Sequence, residues 1–288
     1  MEVMRKNGFH PFSYVAHGRL VECTRPQVMG ILNVTDDSFY DGGRYRSPDA
    51  MVQHAKQLLS DGADIIDIGA ASTRPGASLP DPADETQRLA TAVQLVREAL
   101  PEAIISVDTC RSVAARAAVE AGADIVNDIG GGLLDPGMYH TISDLQVPYI
   151  LMHGAAEGRT HALLHERDLQ GLIDEVVQFF SCKIDELYTL GIKDLWLDPG
   201  FGFGKSIPEN LGLLERLDEL TTLFREPILV GLSRKSMIYK TLGLTPDEAL
   251  NGTIALDALA IDRGAAIVRV HDPKPAIETI KLLYSIES

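Results

Sequence analysis

Cysteine is scarce in this chain: three in 288 residues, Cys23, Cys110 and Cys182. They form no Cys-x-x-Cys pair and their number is odd, which argues against a disulfide framework and for a reducing, cytoplasmic setting. Positive charge is also short. Lys and Arg total 26 against 41 Asp and Glu, a formal net charge of -15. Nucleic acid is therefore not an expected partner, because a phosphate backbone demands basic surface. An anionic small substrate would have to be held by local cations or a metal, against the global field. No uninterrupted apolar run reaches membrane-spanning length, so no membrane role is expected. Arg5 and Lys6 have no apolar segment behind them, so no signal peptide is visible. No linker or low-complexity stretch divides the chain, and residues 1–288 are expected to form one soluble domain. That is long for a domain, but a single α/β barrel commonly takes about 250 residues, and 45% hydrophobic content is ample for its core.

What is present follows a repeating grammar. Gly62-Ala63-Asp64-Ile65, Gly122-Ala123-Asp124-Ile125 and Gly264-Ala265-Ala266-Ile267 each close a helical pattern and open an apolar run. Gly191-Ile192-Lys193-Asp194-Leu195 does so with one more residue. Glycine just past a helix takes the left-handed position, and a buried parallel strand follows. The strands predicted this way are Val28–Asn33, Ile65–Ile68, Ile104–Asp108, Ile125–Asp128, Tyr149–Met152, Leu195–Asp198, Ile228–Gly231 and Ile267–Val270. Between them run helical faces, among them Leu89, Val93, Val96 and Leu100; Leu169, Leu172, Ile173, Val176, Val177, Phe180, Ile184 and Leu187; and Leu211, Leu214, Leu217 and Leu220. Eight alternating units imply an α/β fold of the (β/α)8 TIM-barrel type. A doubly wound open sheet is the alternative and explains the count of eight less well. Residues 1–27, with Phe12–Val15 and Arg19–Val21 on either side of His17-Gly18, read as an N-terminal β-hairpin cap.

One stretch concentrates chemistry. Leu195-Trp196-Leu197 ends in Asp198, and the chain then breaks into alternating glycines, Gly200, Gly202 and Gly204, closed by Lys205. A phosphate loop of the GxxxxGK[ST] type fails because Pro199 stands where its first glycine is needed. A dinucleotide fingerprint is weak, since no long amphipathic helix opens directly off the glycines. A tight turn needs neither Asp198 nor Lys205.

In a barrel, chemistry belongs at the C-terminal ends of the strands. Those ends carry Asn33, Asp67 with Ser72-Thr73-Arg74, Asp108, Asn127-Asp128, His153, Asp198, Ser233-Arg234-Lys235-Ser236, and Arg269 with His271. Asp108, Asn127, Asp198 and Lys235 suit the edge of a fused amino-oxo heterocycle, which presents ring N–H, NH₂ and carbonyl groups together. Asn33, Ser72, Thr73, Arg74, Arg269 and His271 suit phosphate, with or without a metal, and the Asn33 amide oxygen is a candidate ligand for Mg2+. Some residues have plainer explanations. Asp67 reads as a supporting or strand-end residue, Asp128 as helix-facing, and Arg234 as no less a surface residue than a site one. His153, His161 and His165 read as structural or loop histidines, and Met152 as core or as a thioether floor under a flat ring.

These residues fall in motifs whose order resembles that of the dihydropteroate synthase family. Met29 to Gly43, Ser72-Thr73-Arg74-Pro75-Gly76, Ser106-Val107-Asp108-Thr109, Asn127-Asp128-Ile129, Asp198 to Lys205, Ser233 to Ser236 and Arg269-Val270-His271-Asp272 follow one another across about residues 12–285. The resemblance implies condensation of 6-hydroxymethyl-7,8-dihydropterin diphosphate with p-aminobenzoate, giving 7,8-dihydropteroate and diphosphate in folate biosynthesis. It implies a pterin held by Asp108, Asn127, Asp198 and Lys235 between Ile129, Met152 and Phe203. Diphosphate would meet Asn33, Thr73, Arg269 and His271, with Mg2+ at Asn33. The p-aminobenzoate site, where sulfonamides compete, would use Asp37, Phe39, Asp41, Ser72, Arg74, Pro75 and Ser236. Asp108, Lys235, Arg269 and His271 would be the catalytic set, and a homodimer is what the family suggests. Asp36 stands where the family usually has proline, and Ala71 where it often has glutamate. A pterin-binding methyltransferase domain and a non-catalytic pterin-binding paralogue are the rival readings.

Overall fold

The computed structural model describes residues 8–34, 48–70, 81–154 and 168–286. Two short strands, β1 (Phe12–Ala16) and β2 (Arg19–Cys23), pair antiparallel as the predicted hairpin. Eight more follow: β3 (Gln27–Asn33), β4 (Ile65–Gly69), β5 (Ile104–Asp108), β6 (Ile125–Asp128), β7 (Tyr149–Met152), β8 (Leu195–Asp198), β9 (Leu229–Val230) and β10 (Ile267–Val270). They form one sheet in the order β8-β7-β6-β5-β4-β3-β10-β9, with every pairing parallel. A parallel bridge between Leu197 and Ile228 joins the two ends of that order. The sheet is therefore a barrel, and the open-sheet alternative is ruled out.

The grammar of the sequence has a physical basis at each helix-to-strand step. Gly62 and Gly122 sit at φ 99° and 114°, in the region open to glycine. The aspartates two positions on do more than mark the turn. Asp64 Oδ2 accepts the backbone N–H of Val28, and Asp124 Oδ2 accepts that of Ile105. Each ties the start of the preceding strand and is paired with an arginine, Arg25 at 2.7 Å and Arg97 at 2.6 Å.

Alternation along the strands sorts the side chains into two layers. Outward residues such as Ile66, Val107, Val126, Leu151 and Leu197 join the core under the helices. Inward, Met29, Ile65, Ile125, Ile150, Trp196, Leu229 and Ile267 fill the lower barrel with the hairpin's Tyr14 and Cys23. Tyr14 and Phe12 meet Trp196 edge-on, at 4.9 and 5.9 Å between ring centres. Asp194 Oδ2 holds the hairpin at the Val15 N–H. The hairpin thus closes the N-terminal end of the barrel and leaves chemistry to the other end.

One expectation about helices changes. The leucine run beginning at Leu211 belongs to two helices, Ile207–Glu215 and Leu217–Leu223, which break at Arg216. Leu211 is exposed, while Leu213, Leu214, Leu217 and Leu220 are buried. Behind the glycine stretch a short helix opens at Ile207, after Lys205, with Ser206 and Glu209 forming a reciprocal cap, so no long helix leaves the glycines directly.

Candidate active site

Two residues above the apolar layer, the same inward parity brings the polar side chains together. Asp67, Ser106 and Asp108, Asn127, Asp198 and Arg269 stand on β4, β5, β6, β8 and β10, above Ile65, Ile125, Trp196 and Ile267. Met152 shares this level on β7 and is fully buried. Asn33 ends β3 beside them: a Cβ built on Gly69 would lie 3.4 Å from the Asp108 Cβ and 3.6 Å from the Asn33 amide oxygen. Asn33 itself is exposed at the mouth.

Arg269 is the centre of the charge network. Its Nε donates to Asp67 Oδ2 at 2.6 Å and its Nη2 to Asp108 Oδ2 at 2.8 Å. Asp67 Oδ2 also accepts from the Asn127 amide at 3.1 Å, which leaves the buried Asn127 Oδ1 without a hydrogen-bond partner among the described residues. Sequence reasoning set Asp67 aside as a supporting residue; it is the fully buried tether of Arg269 and Asn127.

Opposite, the glycine stretch leaves β8 in a tight path. Asp198 Oδ1 accepts the Gly200 N–H at 2.7 Å. Gly200 has φ 70°, and a Cβ there would lie 1.9 Å from the His153 carbonyl oxygen, so only glycine lets the two strand exits touch. Lys235 donates to the Phe201 carbonyl and lies 4.8 Å from the centre of the Phe203 ring. Ile129 and Phe203 are half-buried at the mouth, and Ser236 opens the helix Ser236–Leu242 directly after Lys235.

Burial drives the titration of this cluster. It pushes the Asp108 carboxyl up to about 7, with Arg269 pulling down and Asp67 adding to the rise. Asp198 is also raised by burial, opposed by Lys235. The Lys235 ammonium is lowered to about 8 by burial, opposed by Asp198. At the rim, desolvation and then the charges of Arg269 and Arg234 push His271 down to about 4, so the ring is neutral at pH 7 although the residue is exposed. Its Nδ1 lies 2.9 Å from Ser233 Oγ, which also accepts the His271 N–H at 3.2 Å. A hydroxyl donating to Nδ1 leaves the ring proton on Nε2.

Other residues have structural duties. Asp128 accepts from Tyr149 Oη and from the N–H groups of Gly130 and Gly132, outside the barrel interior. Arg234, at φ 56°, is half-buried and paired with Asp272 at 2.9 Å, joining the loops that carry Lys235 and His271. His153 packs against Phe179 and Phe180, with Nε2 3.5 Å from Glu175. No group of three or more metal-ligating His, Cys, Asp or Glu residues occurs among the described residues. Asp36, Asp37, Phe39, Asp41, Ala71, Ser72, Thr73, Arg74, Pro75, His161 and His165 lie outside the described residues.

The barrel thus has one closed end and one mouth where acids, amides and cations converge. Residues 29–271 match the family model described as pterin binding enzyme, and that is the class the mouth suits. The chain is 40% identical over 270 residues to the dihydropteroate synthase of Escherichia coli (strain K12), covering 93% of this chain and 94% of that one. It superposes with a TM-score of 0.86 on the Yersinia pestis dihydropteroate synthase in a sulfonamide drug complex, at 37% identity over 96% of this chain and 99% of that one. The Xanthomonas albilineans dihydropteroate synthase with 4-aminobenzoic acid gives 0.87 at 36% identity, covering 97% and 99%. The chain belongs to the dihydropteroate synthase family.

Proposed function

We propose that this chain condenses 6-hydroxymethyl-7,8-dihydropterin diphosphate with p-aminobenzoate, releasing 7,8-dihydropteroate and diphosphate, and so acts in folate biosynthesis. The observation that carries this reading is the shared mouth: Asp108, Asn127, Asp198, Lys235 and Arg269 come from five separate strand exits and lie within one network of contacts and charges.

The pterin edge would meet the Asp198 and Asp108 carboxylates, the Asn127 Oδ1 that awaits a donor, and the Lys235 ammonium, with Ile129, Met152 and Phe203 against its faces. The barrier lies in breaking the bond between the pterin methylene and the diphosphate oxygen, whose electron pair leaves with diphosphate. Arg269 and the Nε2–H of neutral His271 would stabilise that leaving oxygen, together with Thr73; preorganised donors of this kind are typically worth about 3–4 kcal/mol each. Ionised Asp108 would stabilise positive character spreading from the methylene into the ring. The arylamine nitrogen then forms the new C–N bond and its extra proton passes to solvent, so no strong general base is needed. The p-aminobenzoate would lie by Ser236 and the segments carrying Asp37, Phe39, Asp41, Ser72, Arg74 and Pro75.

Mg2+ fits the donor set at the mouth. Asn33 offers one exposed, neutral amide oxygen beside Asp108, and this ion takes one or two protein ligands and completes its shell with phosphate and water. Bound there, it would supply Lewis-acid stabilisation of the departing phosphate. The cysteine usage supports work in the cytoplasm, and no helix among the described residues is long and apolar enough to cross a membrane. A homodimer is part of the same proposal, and sedimentation would test it.

The deciding experiment supplies purified protein with the pterin diphosphate, radiolabelled p-aminobenzoate and magnesium. Labelled dihydropteroate is expected. Absence of product at saturating substrate would reject the proposal, and diphosphate release without coupling would assign the failure to the second substrate's site. A sulfonamide titration of the same assay tests whether competition survives with Asp36 and Ala71 in place.

A further inference from the structure

Lys205 is the only lysine or arginine buried among the described residues, 3% exposed, and neither the pterin nor the phosphate set uses it. Its ammonium faces backbone carbonyls: Gly200 O at 2.9 Å, His153 O at 3.2 Å and Phe203 O at 3.3 Å. Burying an ammonium is costly unless its donors are met, and backbone carbonyls are acceptors suited to the N–H donors of a lysine. A turn alone has no need of such a cage.

The placement of these carbonyls gives the cage a purpose. His153 directly follows Met152 at the exit of β7, whereas Gly200 and Phe203 lie in the stretch leaving β8. Asn210 also holds this stretch, accepting the Gly202 N–H at 2.6 Å and donating to Lys205 O at 3.0 Å. Between Gly200 and Phe203, the Phe201 carbonyl is taken by Lys235. Backbone carbonyls along one short segment are thus divided between two lysines, the buried Lys205 and Lys235 in the mouth.

We propose that Lys205 is a positioning residue for the pterin slot, its ammonium clamping the segment that carries Met152 to the segment that carries Phe203 and presents Phe201 O to Lys235. This rests on the pterin reading of the mouth. Lys205 touches no reacting atom, so its loss weakens pterin binding and leaves the bond-breaking step largely intact. Arginine replaces it only in part, because a planar fork keeps the charge but cannot point its donors as a compact ammonium does.

The test compares wild type, Lys205→Met and Lys205→Arg by calorimetric affinity for 6-hydroxymethylpterin, by steady-state kinetics and by thermal melting. Loss of charge-assisted hydrogen bonds predicts that Lys205→Met binds the pterin roughly tenfold more weakly, with a matching rise in KM for the pterin diphosphate. The KM for p-aminobenzoate and kcat are expected to change by less than about threefold, and Lys205→Arg to fall between the other two proteins. Wild-type pterin affinity in either variant overturns the proposal, whatever its melting temperature. So does a loss in which both KM values rise together in step with melting, which is the mark of a general structural brace. If Lys205→Met does not fold, Lys205→Arg decides by the same readings. A wild type that binds the pterin but forms no product would sink the synthase reading alone, since the affinities still judge Lys205. A wild type that does not bind the pterin overturns both.

Discussion

Asp67 lies beneath the site and bears on both of its active ends. Its Oδ2 accepts from Arg269 and from Asn127, so one carboxylate sets a diphosphate-side cation and a pterin-side amide at once. Its charge also helps to lift Asp108. A wild-type profile of kcat/KM for the pterin diphosphate should therefore fall on the acid side near 7, where Asp108 takes up a proton, and on the alkaline side near 8, where Lys235 loses one. Asp67→Asn removes a like charge from beside Asp108, so its acid limb should move below 7 while kcat/KM drops by about tenfold as Arg269 loses its ionic anchor. An unmoved acid limb would show that Asp67 is packing alone. Lys235→Ala and Asp198→Asn act differently, since each takes a partner from the pterin itself. Both should lower pterin affinity and turnover by about a hundredfold or more with the circular dichroism spectrum unchanged. Kinetics like those of wild type in either would remove that residue from the site.

At the scale of elements, the lower barrel and the hairpin show what sequence can and cannot report. The strands were legible because Gly62, Gly122, Gly191 and Gly264 punctuate them, and because a two-residue period fixes which side chains share the interior. The break at Arg216 was not legible: the leucines keep helical spacing through it, no glycine or proline marks it, and both helices bury against the same barrel. The polar mouth was legible as a set of strand ends. Its internal ties were not, because Asp67 finds Arg269 across 202 positions and Lys205 finds His153 across 52. The hairpin's own contribution follows from Tyr14, which is 1% exposed against Trp196 while its hydroxyl has no partner among the described residues. Tyr14→Ala should cost about 3–5 kcal/mol in denaturant unfolding. Tyr14→Phe should be neutral or slightly stabilising, since it removes a buried hydroxyl that satisfies nothing. Neither should alter KM, because the ring plugs the end of the barrel away from the mouth. A destabilised Tyr14→Phe would mean that the hydroxyl is bonded after all.

For the molecule as a whole, pH acts on stability through acids that the fold buries. Asp257 is the clearest case. It sits 2% exposed on the helix Leu250–Asp262, its Oδ1 has no hydrogen-bond partner among the described residues, and burial pushes its carboxyl from 3.8 up to about 8. Between those two values the native state holds a proton that the unfolded chain has released. The unfolding free energy must therefore fall as pH rises through that window. The contribution is complete below the unfolded value and lost above the folded one. Asp108 slopes the same way up to about 7, whereas the lowered His271 and Lys235 slope the opposite way between about 4 and the ordinary histidine value and above about 8. A single stability curve mixes all four. Asp257→Asn separates them, because the other three groups are common to both proteins and cancel in the difference. The variant should gain on the wild type steadily from pH 6 to about pH 8, by on the order of a few kcal/mol in all, then level off, and its melting temperature should lead by several degrees at the alkaline end. A difference that stays constant with pH would mean that Asp257 is charged in the folded protein and paired with a group that satisfies it.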